Sequence, residues 1–296
     1  MIEYLSDLRL FCEIANTLNF RQAGEQLGYS PAVVSMRVKR LETVTGKTLF
    51  LRSTRHIAMT EEGKELLLLA RKTLDLTESM TSRQRQPTEA SISGTVRIAA
   101  PHSFARVFLL QPISQLHQQY PSLSIELILD DQLTPLVRDG IDLSFRIGDL
   151  GESLVNSEDL IEDKRILVAS PGYLQRYGIP KRPADLREHL ILSHLHMKHW
   201  DLTGNGETAR VPLKRVMHCN TGDYLSWLAI DGAGITVKSE WSVRDYINEG
   251  KLTHVLPDYT LGENRHVRVV TPQREVTPLR VQHVLDVIKK HITGSQ

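Results

Sequence analysis

At 296 residues, with 41% hydrophobic and 24% charged residues, the chain is long enough for two or three domains with sizeable cores, and its composition argues against disorder. The formal net charge of +1 hides a division. Between Arg21 and Ala58 seven Lys or Arg (Arg21, Arg37, Lys39, Arg40, Lys47, Arg52, Arg55) stand against two acids (Glu25, Glu42), a local +5 that leaves −4 for the remainder and points to a polyanion partner for that segment alone.

Along the chain, Arg21 to Leu27 reads as a short helix and Gly28-Tyr29 as a tight turn. Ser30 then starts a second helix: its hydroxyl can accept from the exposed amides, and Pro31 takes the first helical position, where its missing N–H costs nothing. Val34, Val38 and Leu41 fall at i, i+4 and i+7 as a core-facing stripe, leaving Ala32, Ser35, Met36, Lys39 and Arg40 on the opposite faces. Helix, glycine turn and a second helix with small and basic residues outward form a helix-turn-helix pattern, whose second helix enters the major groove N-terminus first. LFLRSTRHIAMT (49–60) predicts a β-hairpin wing with Arg52 and Arg55 near its tip, suited to phosphates or a narrow minor groove.

From Thr60 to about Gln86 runs one helix, roughly 40 Å long, with apolar residues at Leu66, Leu69, Ala70, Leu74, Leu76 and Met80. Its one-sided stripe predicts packing against a second copy of itself. Pro87 ends it, and the polar stretch to Gly94 reads as a hinge. Beyond it, strand patterns (94–100, 123–129, 142–147, 165–170, 210–217, 234–237, 266–272) alternate with helical ones (104–119, 132–139, 221–231, 240–248 and about 276–291). That alternation predicts α/β layers with largely parallel sheets, divided into two lobes.

Phe11, Ala15, Asn19-Phe20, Ala23, Leu27, Ser30, Val34, Ser35, Val38, Leu41-Glu42, Gly46, Leu49-Phe50, Arg52, Arg55, Thr60 and Gly63 match, in order and spacing, the N-terminal signature of LysR-type transcription regulators. The remaining 200 or so residues resemble that family's effector domain more weakly, through GTVRIAAP, DGIDLSFRIGDL, VASPGYLQRYGIPKRPADLREH, DGAGI and EGKLTHVLPDY; FRIGDL and SPGYL are most similar to the CrgA-like subgroup. The resemblance implies a mixed fold: an all-α winged helix-turn-helix domain (1–59), a dimerising linker helix (60–86), a hinge (87–93) and an α/β effector domain (94–296). That last domain is similar to periplasmic binding proteins, with lobe I at about 94–166 and 268–296 and lobe II at about 167–267. It implies double-stranded DNA as partner at an interrupted palindrome, a small-molecule effector such as a small organic anion, self-association as dimer or tetramer, and RNA polymerase as a further contact. Met36 stands where many relatives carry Arg, which puts operator preference in question. The expected DNA-facing set is Arg21, Ser30, Pro31, Ala32, Ser35, Met36, Lys39, Arg40, Arg52 and Arg55.

Ligands of open α/β sheets sit at the carboxyl ends of strands, where helix N-termini present unpaired N–H groups to anions. By that rule lobe I contributes Pro101, His102 and Ser103, just before a helix starting near Phe104, and lobe II contributes Asn220 and Thr221. Arg146 adds either a ligand-binding cation or an interlobe or surface salt bridge; Ser103 and Thr221 also read as helix N-caps. The cluster His189, His194, His196 and His199 lacks nearby acids, His194 and His196 cannot share a helix face, and Lys198 repels cations, so no metal is expected. Gly232-Ala233-Gly234 lacks the third glycine of a dinucleotide loop and reads as a tight helix-to-strand turn. Cys12 and Cys219, outside any Cys-x-x-Cys spacing, fit a reducing compartment, and Cys219 reads as a small hydrophobe rather than a redox sensor. Without a secretory pattern at the N-terminus or an apolar run near the roughly 20 residues of a membrane span, a cytoplasmic chain without a membrane partner is expected. No nucleophile–base arrangement, Walker loop or HExxH motif appears, so neither enzyme activity nor a cofactor is expected.

Overall fold

The computed structural model describes residues 5–52, 57–82, 92–131, 140–148, 155–195, 197–214, 216–262, 265–273 and 277–294. The chain divides into two compact units, the first built on Met1–Thr88 and the second on Glu89–Gln273 and Arg280–Gln296.

In the first unit α1 (Leu5–Thr17), α2 (Phe20–Gln26) and α3 (Pro31–Thr45) precede the strands β1 (Phe50–Arg52) and β2 (Ile57–Met59), and α4 (Glu61–Ser82) follows. Local chemistry sets each boundary. Asn19 Oδ1 accepts from the amides of Arg21 and Gln22, a cap the sequence reading had not assigned, while Ser30 caps α3 by accepting from Val33 N–H. Gly46 ends α3 in the left-handed conformation (φ 65°). The wing forms as expected, with β1 and β2 antiparallel and Phe50 opposite Met59. Glu42 braces it by accepting from Leu49 N–H at 2.9 Å, and Thr60 Oγ1 caps α4 by accepting from Gly63 N–H.

Val34, Val38 and Leu41 are buried against Leu10, Phe11, Ile14 and Ala23, and Phe50 stands edge-on to Phe11 and Phe20. Each fully buried side chain of this size contributes roughly 1.5–3 kcal/mol. At Gly24 a Cβ would lie 2.7 Å from Val34 Cγ2 and 3.0 Å from Tyr29 O, so the close crossing of α2 and α3 needs glycine there. The expectation for α4 is corrected. Leu66, Leu67 and Leu74 pack with Ala70 onto the core built by α1, while Leu69 and Leu76, seven residues apart, are exposed. The helix has two apolar faces rather than one stripe; Met80's side chain lies outside the described residues.

The second unit has two α/β lobes. Lobe I opens with β3 (Gly94–Ala100) and a continuous helical run, α5 (His102–Phe104), a π-type turn (Ala105–Leu109) and α6 (Leu110–Gln119). It continues with β4 (Leu123–Leu129), β5 (Leu143–Ile147) and β6 (Val155–Glu162). Lobe II holds β7 (Arg165–Ala169), α7 (Pro171–Tyr177), a 3-10 turn (Pro183–Glu188), β8 (Ile191–His194), β9 (His199–Gly204), β10 (Glu207–Pro212), β11 (Val216–Cys219), α8 (Gly222–Ile230), β12 (Ile235–Ser239), α9 (Glu240–Asn248), β13 (Thr253–Val255) and β14 (Tyr259–Leu261). The chain then returns to lobe I with β15 (His266–Pro272) and α10 (Leu279–Gly294).

The sheet orders are β4-β3-β5-β15-β6 in lobe I and β11-β8-β12-β7-β13 in lobe II, with a small β10-β9-β14 sheet beside the latter. The expectation of largely parallel sheets is corrected: β3 runs parallel to β4 and β5, but β15 is antiparallel to β5 and β6, and β12 and β13 are antiparallel to β7. The strand read at 210–217 is two strands, because β10 ends at Pro212, which lacks a ladder donor. The short helix expected at 132–139 lies outside the described residues. Between the lobes, Asp163 N–H donates to Arg265 O at 2.7 Å, joining the two segments where the chain crosses.

Candidate DNA-reading face and effector cleft

On α3 of the first unit, Pro31, Ala32, Ser35, Met36 and Lys39 are exposed and form the face opposite the buried stripe; Met36 is 58% exposed although it is apolar. Ser30 and Arg21 are exposed too, Arg21 pairing with Glu25 one helical turn on. Arg40 behaves differently from the expectation. It and Arg37 bond to buried Asp7 on α1, Arg37 Nη1 at 3.1 Å and Arg40 Nε at 2.8 Å, and Arg37 also lies over the Tyr29 ring. Arg40 thus carries an α1–α3 tie, with its side chain 40% exposed. Arg52 ends β1, its side chain and Arg55 lying outside the described residues.

In the second unit a cavity of about 280 Å³ lies between the lobes. It is reached from lobe I by the carboxyl ends of β3, β4 and β5 and from lobe II by those of β8 and β12, as the strand-end rule requires. Of the predicted effector residues, Pro101, Ser103 and Arg146 line it. Ser103 lies inside α5 rather than at its cap, so the capping alternative falls away: the helix begins at His102, after Pro101. Phe104 is corrected from ligand residue to core residue, wholly buried and stacked on Phe145 at 4.7 Å, with Trp241 of lobe II edge-on. Asn220 and Thr221 precede α8 without lining the cavity, and Thr221 occupies the N-cap position without a side-chain cap.

Among the described residues four cations line the cavity, Arg146, Arg165, Lys238 and Arg265, of which Arg146 alone is expected from the sequence. Lys238 is 5% exposed, and its Nζ donates to Gly222 O at 2.7 Å. Burial, and then the Arg165 guanidinium, pull its pKa down to about 8, against the attraction of Asp223 and Asp131. Burial also lowers His194, with Lys238 and Arg165 acting in the same direction. Asp163, closed off from solvent, accepts from Trp241 Nε1 at 3.2 Å and Arg265 Nε at 3.4 Å. Arg106 of lobe I reaches lobe II, bonding Ser242 O at 2.8 Å and Asp223. Asp131, at the end of β4, accepts from His102 N–H and Gly222 N–H. Applied to β4, the rule that selected Ser103 would have found Asp131. Lys238 lies one residue past the strand pattern read at 234–237, near the end of β12 (Ile235–Ser239).

The histidine stretch is structural where described. His189 bonds the buried Tyr173 hydroxyl, His199 lies on β9 near Asp201, and His194 lines the cavity; His196 lies outside the described residues. Among the described residues no group of His, Cys, Asp or Glu is arranged to hold a metal ion, and no helix is long and apolar enough to cross a membrane. Gly232 (φ 85°) makes the tight turn from α8 toward β12.

Residues 5–64 match the family model for the bacterial regulatory helix-turn-helix protein, lysR family, and residues 89–293 that for the LysR substrate binding domain. The HTH-type transcriptional activator TtdR of Escherichia coli K12 is 33% identical over 266 residues, 87% of this chain and 84% of that protein. DmlR of the same organism, an HTH-type transcriptional regulator, is 30% identical over 292 residues, 97% and 94% of the two chains. Among solved structures, the full-length virulence activator AphB of Vibrio cholerae is 25% identical with a TM-score of 0.61, covering 97% of this chain and 99% of that one. CrgA of Neisseria meningitidis shares the fold at 24% identity and a TM-score of 0.62, covering 97% and 98%. The chain belongs to the LysR family of bacterial transcription regulators, with a DNA-binding helix-turn-helix domain and an effector-binding domain, and is not an enzyme.

Proposed function

We propose that this regulator responds to a small organic anion held between its lobes, and that its α3 face reads an interrupted palindromic operator. The observation that carries the effector class is the convergence of Arg146, Arg165, Lys238 and Arg265 on one small cavity, with Ser103 as a neutral donor beside them. Two of these cations, Arg146 and Lys238, are at least 95% buried. Burying positive charge is costly, and an anionic ligand held among these four cations adds a favourable charge partner to those they already have. On the DNA side, Ala32, Ser35 and Met36 lie nearest the base edges, and Lys39, Arg52 and Arg55 supply salt-dependent phosphate attraction. The exposed Leu69 and Leu76 of α4 are the surface through which two copies pair, setting two recognition helices on one operator.

The effector side is tested by calorimetric titration of the full chain with malonate, succinate and glutarate against neutral malonamide. Saturable binding of a dicarboxylate, weakened at least about tenfold by Arg146→Gln, is expected for a buried charge-assisted contact. Equal binding of malonamide and malonate would remove the anion reading. On the DNA side, Ser35→Ala and Met36→Ala should change the sequence preference in competition gel shifts against bulk DNA.

A further inference from the structure

The amides best placed to receive an anion at this cleft already hold one. Asp131, at the carboxyl end of β4, is 12% exposed, and its two carboxylate oxygens point to different lobes. Oδ1 accepts from His102 N–H of lobe I at 3.0 Å, and Oδ2 accepts from Gly222 N–H, the first amide of α8 in lobe II, at 2.5 Å. The helical run begun by His102 continues to Gln119, so both amides belong to helices of more than two turns. The site is built around this carboxylate. A Cβ at position 222 would lie 2.8 Å from Lys238 Nζ and 3.3 Å from Asp131 Oδ2, so any larger residue there would push both side chains from their present places. Beside it stands the 95%-buried Lys238 ammonium, which has three N–H donors and bonds Gly222 O, itself part of the same turn.

We propose that Asp131 is an internal competitor for the effector: its carboxylate clasps the two lobes in the unliganded protein, and a carboxylate-bearing organic anion acts by taking its place on the two amides. This rests on the anion-binding reading of the cleft and adds to it the ligand's functional group and the event that couples binding to lobe arrangement. A planar carboxylate fits because a planar carboxylate is what the two amides now hold, one oxygen each. Two carboxylates cannot share those amides, since like charges at hydrogen-bonding distance repel strongly. A ligand that enters therefore expels the side chain that ties lobe I to lobe II, and an arrangement that differs in ligand affinity is what an inducer requires.

The test uses the full chain and malonate, titrated calorimetrically into the parent, Asp131→Asn, Asp131→Ala and Asp130→Asn at one ionic strength. A clasp closed nine-tenths of the time lowers apparent affinity about tenfold, so Asp131→Ala binds malonate at least about tenfold tighter than the parent. Asp131→Asn, which lacks the charge but keeps one acceptor, falls between them. Asp130→Asn removes the same charge from the same loop and changes affinity less than threefold. In amide hydrogen exchange, Gly222 exchanges faster in unliganded Asp131→Ala and regains protection with malonate. Equal or weaker malonate binding by folded Asp131 variants overturns the clasp and leaves the anion cleft standing, as does an equal gain from Asp130→Asn. Failure of every protein, the parent included, to bind any of the three dicarboxylates overturns both.

Discussion

Replacing Lys238 by Met isolates the energetics of the cleft. The side chain keeps nearly the same length and volume but loses its charge, in a setting where the parent ammonium is 5% exposed and its pKa has fallen from 10.5 to about 8. That fall is worth about 3 kcal/mol against the charged form at neutral pH. The bond to Gly222 O disappears with the charge, which takes back about 1.5–3 kcal/mol. At pH 7 the two nearly cancel, so the decisive quantity is the dependence on pH. A base whose folded pKa is depressed carries its full penalty below the folded value and is relieved between the folded and unfolded values, where the unfolded chain binds the extra proton. The parent should therefore gain stability over Lys238→Met as pH rises from about 8 to 10.5, by about 3 kcal/mol in all. The chain's three tryptophans, Trp200, Trp227 and Trp241, all lie in the second unit, so urea unfolding followed by tryptophan fluorescence reports that unit alone. A stability difference that stays flat within about 0.5 kcal/mol across that window would refute the downward shift of the buried Lys238 ammonium. The same reasoning makes malonate affinity fall above pH 8, with proton uptake on binding there.

Gly24→Ala places a methyl against Val34 and the Tyr29 carbonyl, so despite better helix propensity it should destabilise the first unit by about 1–3 kcal/mol, read by far-UV circular dichroism. Asp7→Asn leaves Arg37 and Arg40 without their shared carboxylate; a loss of about 3 kcal/mol is expected, at the low end for a buried pair because both arginines keep some solvent. Arg40→Gln should lower stability and leave the salt dependence of operator binding unchanged, whereas Lys39→Gln should flatten the slope of log K against log salt by about 0.9. Met36→Arg should steepen that slope by about the same amount and raise affinity for bulk DNA, measured by fluorescence anisotropy at several salt concentrations.

Elements with local causes were legible. Ser30-Pro31 and Gly46 bracket α3 by capping chemistry carried in a few consecutive residues, and GTVRIAA, LSIELIL and HVRVVTP became β3, β4 and β15 with the expected boundaries because continuous apolar runs bounded by turns leave few alternatives. Elements with distant causes were not. VNSEDLIE forms β6 because it lies along β15, whose residues come about 110 positions later, and nothing in its acidic composition suggests a strand. In the histidine-rich stretch β8 forms for the same reason, lying along β11 and β12, whereas β9 pairs with the next strand, β10, across the two-residue Asn205-Gly206 turn, a local signal of the kind a sequence does carry. At the cleft, Ser103 and Arg146 followed from strand ends, but Lys238 finds its partner on Gly222, sixteen residues earlier in another element. Arg40 has a distant tie of the same kind: basic and close to the recognition face, it answers a carboxylate 33 residues upstream.

Three acids of the second unit, Asp131, Asp163 and Asp223, share a logic that connects these cases. Asp163 receives Trp241 and Arg265, Asp223 receives Arg106, and Asp131 receives two backbone amides, so each of these three acids bridges segments from both lobes or from the crossings between them. An apolar contact of similar area would hold the lobes in place without distinguishing one small anion from another. Charged bridges hold them conditionally, since a competing anion weakens one in proportion to how well it imitates the carboxylate already there. Of the three, only Asp131 both lines the cavity and bonds backbone N–H groups rather than side chains that could follow it. Asp163 and Asp223 can therefore stay paired while Asp131 is exchanged, which confines the response to one contact and leaves the lobe interface intact around it.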